Sequence, residues 1–240
     1  SPLVGGALVA ALGIVAGLRA GFAATLVLAG LTALLVHRIK LPIGAADAVT
    51  LRGVWGSFHW ALKRLLVSDI VIRTCEGLAG VFVILYVTDV TGLDVPRFGI
   101  LVAVQMATSI AVYIPAARIA DRVGRKPFVV ATFVFFALFP IAVVLADSFL
   151  ELVGAFVVGG LREVGEPARK AMIVDLAEPT VRARTVGLYY LVRSLAITPA
   201  AISGGLLWQI SPALPFWTAG AVGLAGTALF IATVEERYAA

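Results

Sequence analysis

Long apolar runs, each closed by glycine, proline or charge, occupy residues 3–16, 20–36, 65–88, 98–117, 128–146, 149–175, 185–207 and 213–233. Polar and apolar positions do not alternate within them, so they do not read as half-buried strands. A run of ~20 apolar residues matches the hydrocarbon thickness of a bilayer. Backbone amides there must be paired within the segment or in a closed barrel. The pattern predicts an all-α membrane bundle of about eight spanning helices, the first of them truncated.

Composition agrees with that reading. Hydrophobic residues make up 61% of the 240 positions and charged residues 14%, against roughly 45–50% and ~25% in soluble domains. A water-soluble fold would need more surface charge, and a disordered chain far fewer apolar residues. The net charge of +5 reflects loop asymmetry and gives no reason to expect a nucleic-acid partner. Cys75 is the only cysteine and His37 and His59 the only histidines, too few for a disulfide framework or a Cys/His zinc site. No Ser/His/Asp set, phosphate loop or nucleotide-binding signature can be assembled, so neither catalysis nor a cofactor is expected. Ser1-Pro2 opens directly in an apolar run without an initiator methionine, and the chain reads as lacking its start.

Loop charges give the orientation. Arg38, Lys40, Arg52, Lys63 and Arg64 lie in connection 37–64, Arg118, Arg122, Arg125 and Lys126 near 118–127, and Arg182 and Arg184 near 177–184. The opposite loops hold Arg19 and Arg97 beside Asp89, Asp94, Asp147 and Glu151. The positive-inside rule makes the first set and the C-terminus cytoplasmic, in a plasma (inner) membrane. Within 37–64, Ser57 suits an N-cap and Trp60, Lys63 and Arg64 suit the interface; a surface-lying helix and a solvated linker both fit. Gly5-Gly6-Ala-Leu-Val and Leu28-Ala-Gly are echoed by Gly204-Gly-Leu-Leu-Trp and Leu224-Ala-Gly. The echo divides the chain into 1–36, linker 37–64 and six-span portion 65–240, with 1–36 corresponding to the last two helices.

Between the second and third spans of that portion stands Ala117-Arg-Ile-Ala-Asp121-Arg122-Val-Gly124-Arg125-Lys126-Pro127. It resembles the signature loop of the major facilitator superfamily of secondary transporters, with Ala117 where that family usually has glycine. The resemblance implies a twelve-helix transporter of two six-helix halves, of which this chain holds the end of helix five to helix twelve. A tight turn at Gly124 lets Asp121 reach a neighbouring helix end while Arg125 faces a carboxylate. Asp175 and Arg182 resemble the family's acid-to-arginine pair at the fourth-to-fifth connection. Asp121, Arg122, Gly124, Arg125, Asp175 and Arg182 are thus candidates for a cytoplasmic gate, the alternative being solvated positive-inside charges. Pro2, Gly5 and Gly6 resemble the end of the family's antiporter motif, or serve ordinary small-residue packing.

Charges also fall inside the spans. Asp69, Arg73 and Glu76 share one helical face by their spacing. Arg162, Glu163 and Glu166 lie near the centre of 149–175, with Arg169 and Lys170 one turn on. Arg193 lies ~13 Å into 185–207. Each would cost about 2.5–3.5 kcal/mol facing lipid, so all are expected to face inward. Spacing suggests ion pairs Arg162–Glu166, Glu166–Lys170 and Arg73–Glu76, and Pro167 predicts a bend beside Gly165. Gln105, Tyr189 and Tyr190 read as packing residues, and Phe133, Phe135 and Phe136 as lipid-facing.

The resemblance implies that the first and fourth helices of the portion line a central pathway. Arg73, Glu76, Arg162, Glu163, Glu166 and Arg193 are its candidate residues. They form either a neutralised core or a set in which Glu163, Glu166 or Glu76 carries a proton. The expectation is proton-coupled efflux of a small organic compound. Organic-anion uptake using Arg73, Arg162 or Arg193, or a non-transporting membrane sensor, are the alternatives. Expected partners are the small solute, protons, the lipid bilayer and the remaining N-terminal half of the same protein, with no nucleic acid and no metal.

Overall fold

The computed structural model describes residues 5, 8, 11–38 and 50–234. Pro2 and Gly6 lie outside the described residues, as does most of the first apolar run. Gly5 is exposed, with open space where a Cβ would stand.

Helix α1 spans Ile14–Arg38, the short α2 Leu51–Gly56 and α3 Trp60–Ala79. The α3 span runs on through α4 (Phe82–Leu85) and a π turn at Tyr86–Val90. Then come α5 (Val95–Val123), α6 (Lys126–Val144), α7 (Phe149–Leu161), α8 (Glu166–Asp175), α9 (Arg182–Ile210) and α10 (Leu214–Thr233). No strand occurs among the described residues. Among the described residues, six segments are long and apolar enough to cross a membrane: Val15–Arg38, Trp60–Val90, Val95–Val123, Lys126–Val144, Arg182–Ile210 and Leu214–Thr233. Residues 149–175, expected as one bent span, form the two separate helices α7 and α8. The protein is an all-α, multi-pass membrane protein.

Local chemistry fixes several helix ends. A capping box opens α7, with the Glu151 N–H donating to Ser148 Oγ (3.3 Å) and the Ser148 N–H to Glu151 Oε2 (3.2 Å). Gly124 ends α5 at φ 115°, a conformation that favours glycine, and so permits the sharp reversal into α6. In the linker, Thr50 caps α2, Ser57 closes it, and His59 caps α3. Ser57 is therefore a C-cap rather than an N-cap, and Trp60 to Arg64 begin the α3 span instead of a separate surface helix.

Helix α10 packs between α3 and α6, α9 covers another flank of α3, and α7 bridges α5 and α6. Glycine sets the closest approach: Gly220 and Gly223 of α10 meet Ile141 and Ala137, and Gly226 meets Val71 and Ile72. The buried apolar side chains fall into two clusters. One gathers Leu62, Leu65, Ile72, Phe133, Met172 and Phe230; the other gathers Leu78, Val87, Phe139, Phe156 and Phe216. Along α3 the changeover falls at residues 69–76, where the charges are. Phe133 and Phe136 belong to this core instead of facing lipid, Phe133 meeting Phe230 edge-on at 5.0 Å. Helix α1 presents its apolar side chains outward along its length.

Candidate functional site

Three elements converge on the level between the two apolar clusters. Helix α3 offers Asp69, Arg73 and Glu76 at positions i, i+4 and i+7 of one face. Helix α9 offers Tyr189 and Arg193. The third contribution depends on a break: four residues, Arg162 to Gly165, leave the helical path between α7 and α8. Gly165 N–H donates to the buried Thr132 Oγ1 of α6 at 2.6 Å, and a Cβ on Gly165 would run into the Phe128 carbonyl. Pro167 then starts α8 as one of its first two residues, where its missing N–H is harmless. The break turns Arg162 toward Glu76 and sends Glu166 and Arg169 into the bundle.

Asp69 is the hub, with 0% exposure. Its Oδ2 accepts hydrogen bonds from Arg169 Nη1 (2.7 Å), Tyr189 OH (3.0 Å) and Arg193 Nη1 (3.4 Å). Its Oδ1 lies 3.8 Å from Arg73 Nε. Glu166 accepts from Arg73 Nη2 (2.5 Å) on Oε1, and from Arg169 Nε (3.0 Å) and Nη2 (2.8 Å) in a two-pronged grip. Arg73 Nη1 also donates to Glu76 Oε2 (2.9 Å), and Arg162 Nη1 stands 3.7 Å from Glu76 Oε1. Phe136 lies beneath both the Arg73 and Arg162 guanidiniums, at 4.7 and 4.9 Å, and Tyr190 beneath that of Arg193 at 4.6 Å. Four guanidiniums and three carboxylates are thus joined across α3, the break, α8 and α9.

Glu163 differs from the other acids. It is half-buried in the break and makes neither a hydrogen bond nor an ion pair through its carboxylate with any described residue. The layer can therefore hold six charges rigidly on α3, α8 and α9 while leaving one acid free to exchange a proton or meet a solute.

Of the pairs suggested by spacing, Arg73–Glu76 is present and the other two are not. Arg162 and Glu166 would need a continuous helix, and the break separates them; Arg162 turns to Glu76. Lys170 is exposed, its Nζ 5.9 Å from the Tyr113 ring, while Glu166 points inward to Arg73 and Arg169. Three members of the layer were not among the expected site residues: Asp69, Arg169 and Tyr189. Tyr189, expected to pack, donates from its hydroxyl to the hub. The i, i+3 spacing of Glu166 and Arg169 carried a usable signal, but the pairing of α8 with α3 over one hundred residues carried none.

At the basic end of the bundle a second cluster forms. Arg125 Nη1 donates to Asp175 Oδ2, and Arg125 Nε lies 3.5 Å from Asp121 Oδ1. Asp121, Gly124, Arg125 and Asp175 are thereby brought together at the junction of α5, α6 and α8. Arg122 and Arg182 are exposed and form no ion pair with the described residues. Lys126 Nζ and Arg64 Nη1 donate to the carbonyls of Ile231 (3.2 Å) and Thr233 (3.1 Å), placing cations at the C-terminal end of α10.

Residues 104 in number align at 29% identity with an uncharacterised MFS-type transporter of Methanocaldococcus jannaschii, covering 43% of this chain. The chain matches only 26% of that relative's length. The profile described as Major Facilitator Superfamily matches residues 65–240, the stretch that carries both the charged layer and the Asp121 to Arg125 turn. On that match, over most of its length, the chain belongs to the Major Facilitator Superfamily.

Proposed function

We propose that this chain is part of a proton-coupled secondary transporter that exports a small organic solute by alternating access, with Glu163 as the proton-carrying carboxylate. The observation that carries this reading is the contrast between Glu163 and its neighbours. Protonating Asp69 or Glu166 would discard charge-assisted hydrogen bonds to two or more partners each, whereas Glu163 has none to lose. It also sits in the helix break between α7 and α8, and irregular backbone of this kind is what transporters use at a solute site. Residues 1–36 would end one half, 37–64 would link, and 65–240 would form the other half, the two rocking about the layer. Asp121, Arg125 and Asp175 would latch the cytoplasmic side, with the basic loops and C-terminus in the cytoplasm of a plasma (inner) membrane. Pro2, Gly5 and Gly6 support the outward direction through their likeness to an antiporter motif.

A second reading, uptake of an organic anion together with a proton, is favoured by one observation: four guanidiniums face three paired carboxylates. With Glu163 protonated the layer holds a surplus positive charge that an anionic group would neutralise.

Flux of candidate solutes through the full-length protein in proteoliposomes, under imposed pH gradients of either sign, tests both. Wild-type flux should follow the gradient, and Glu163→Gln should abolish that dependence while leaving gradient-independent exchange. Flux indifferent to the gradient, or a Glu163→Gln protein that stays coupled, would remove Glu163 from its role. Accumulation of an organic anion driven by external acid would select the second reading.

A further inference from the structure

We propose that α2 and the first turns of α3 form a binding site for the phosphate headgroup of an anionic phospholipid, whose acyl chains lie along the outward face of α3. Residues 51–68 carry Arg52, Lys63 and Arg64 and no acidic residue. Arg52 is exposed and makes no ion pair with the described residues. Lys63 Nζ lies 5.6 Å from the Trp55 ring and Arg64 Cζ 5.4 Å from the Trp60 ring. Both indoles remain open to the surroundings, at 40% and 62% exposure.

The site is built rather than a loose basic tail. Trp55 leans on Phe58 at 5.0 Å, and Phe58 is buried in the core. Arg64 is held by its hydrogen bond to the Thr233 carbonyl and forms no ion pair with the described residues. Trp60, Arg64 and the exposed Val67 follow at i, i+4 and i+7 on one outward stripe of α3. Moving along the span from its start, the stripe passes from indole and cation to aliphatic surface, which is the order headgroup, interface, acyl chain. Indole rings settle at the headgroup level, and guanidinium and ammonium groups bind a phosphate diester through charge-assisted hydrogen bonds. A free phosphate would leave the indoles and Val67 uncovered; a lipid covers both kinds of surface at once.

Retention of phosphatidylglycerol against phosphatidylcholine on the purified full-length protein, read by native mass spectrometry, tests the site. Arg52→Gln combined with Lys63→Gln spares Arg64 and its hydrogen bond. Each charge removed should lower the preference for phosphatidylglycerol roughly fivefold, so the pair should lower it about 25-fold. Arg118→Gln, an exposed cation of the α5 end, should change it less than ~2-fold, since a built site differs from diffuse attraction. Equal retention of the two lipids in the wild type, a loss below ~3-fold in the double variant, or an equal loss in Arg118→Gln would overturn the proposal. Circular dichroism of the double variant, unchanged from wild type, separates lost binding from lost fold.

Discussion

The protein uses one chemistry, arginine against carboxylate, in two settings, and the settings differ in almost every physical respect. In the layer between α3, α8 and α9, Asp69 is closed to solvent and the Arg169 guanidinium reaches both Asp69 and Glu166. At the α5–α6 turn, Arg125 meets Asp175 and Asp121, whose side chains are 46% and 65% exposed. Removing a partner from a buried network strands an ion in low dielectric, while an exposed pair exchanges its partner for water at little cost. The buried network suits a strut that keeps three helices in register. The exposed pair suits the proposed cytoplasmic latch, which would open and close in each transport cycle.

The sharpest way to break this comparison is Asp69→Ala. It leaves the Arg169, Arg193 and Tyr189 donors without their common acceptor, and the expected loss is about 3–5 kcal/mol. Equilibrium unfolding of the full-length protein in detergent measures it. A loss below ~1 kcal/mol would place Asp69 in the same class as the surface pair. Next in size is Thr132→Val, which keeps the volume of the side chain but leaves the Gly165 N–H buried and unpaired. About 1–3 kcal/mol should be lost, most of it regained in Thr132→Ser. Loss in both variants would trace the effect to packing against α6 and not to the hydrogen bond that pins the helix break.

Spans, loop charges and the Asp121 to Arg125 turn were legible in the sequence because each rests on local composition or spacing. A run of apolar residues reports its own burial, and Gly124 reports its own backbone. The charged layer was legible only as a set of inward-facing charges. Which charges meet depends on how α3, α8 and α9 are placed, and no spacing rule links Asp69 to Arg169 or Tyr189. Pro167 announced a disturbance of the helix, yet the full break over Arg162 to Gly165 depends on Thr132 and Phe128 of another helix. That break is what reassigns Arg162 from Glu166 to Glu76. Phe136 was misread for a related reason: an aromatic ring in an apolar run looks lipid-facing until two guanidiniums are found to lie over it.

The smallest expected effect belongs to the proposed latch, and its smallness is itself informative. A double-mutant cycle on Arg125→Gln and Asp175→Asn should give a coupling of about 0.2–1 kcal/mol in unfolding experiments, as for other exposed pairs. The same variants should change transport far more than stability, because a latch of that strength shifts the balance between closed and open states without holding the fold. If the closed state is favoured by only this margin, losing ~1 kcal/mol lowers the closed-to-open ratio about fivefold. Accessibility of a cysteine introduced at Ala120, which is buried beside Asp121, reads that population directly in the full-length protein. A coupling of several kcal/mol, or labelling that the variants leave unchanged, would mean that the exposed cluster is a second strut and that the two regions do not differ in kind.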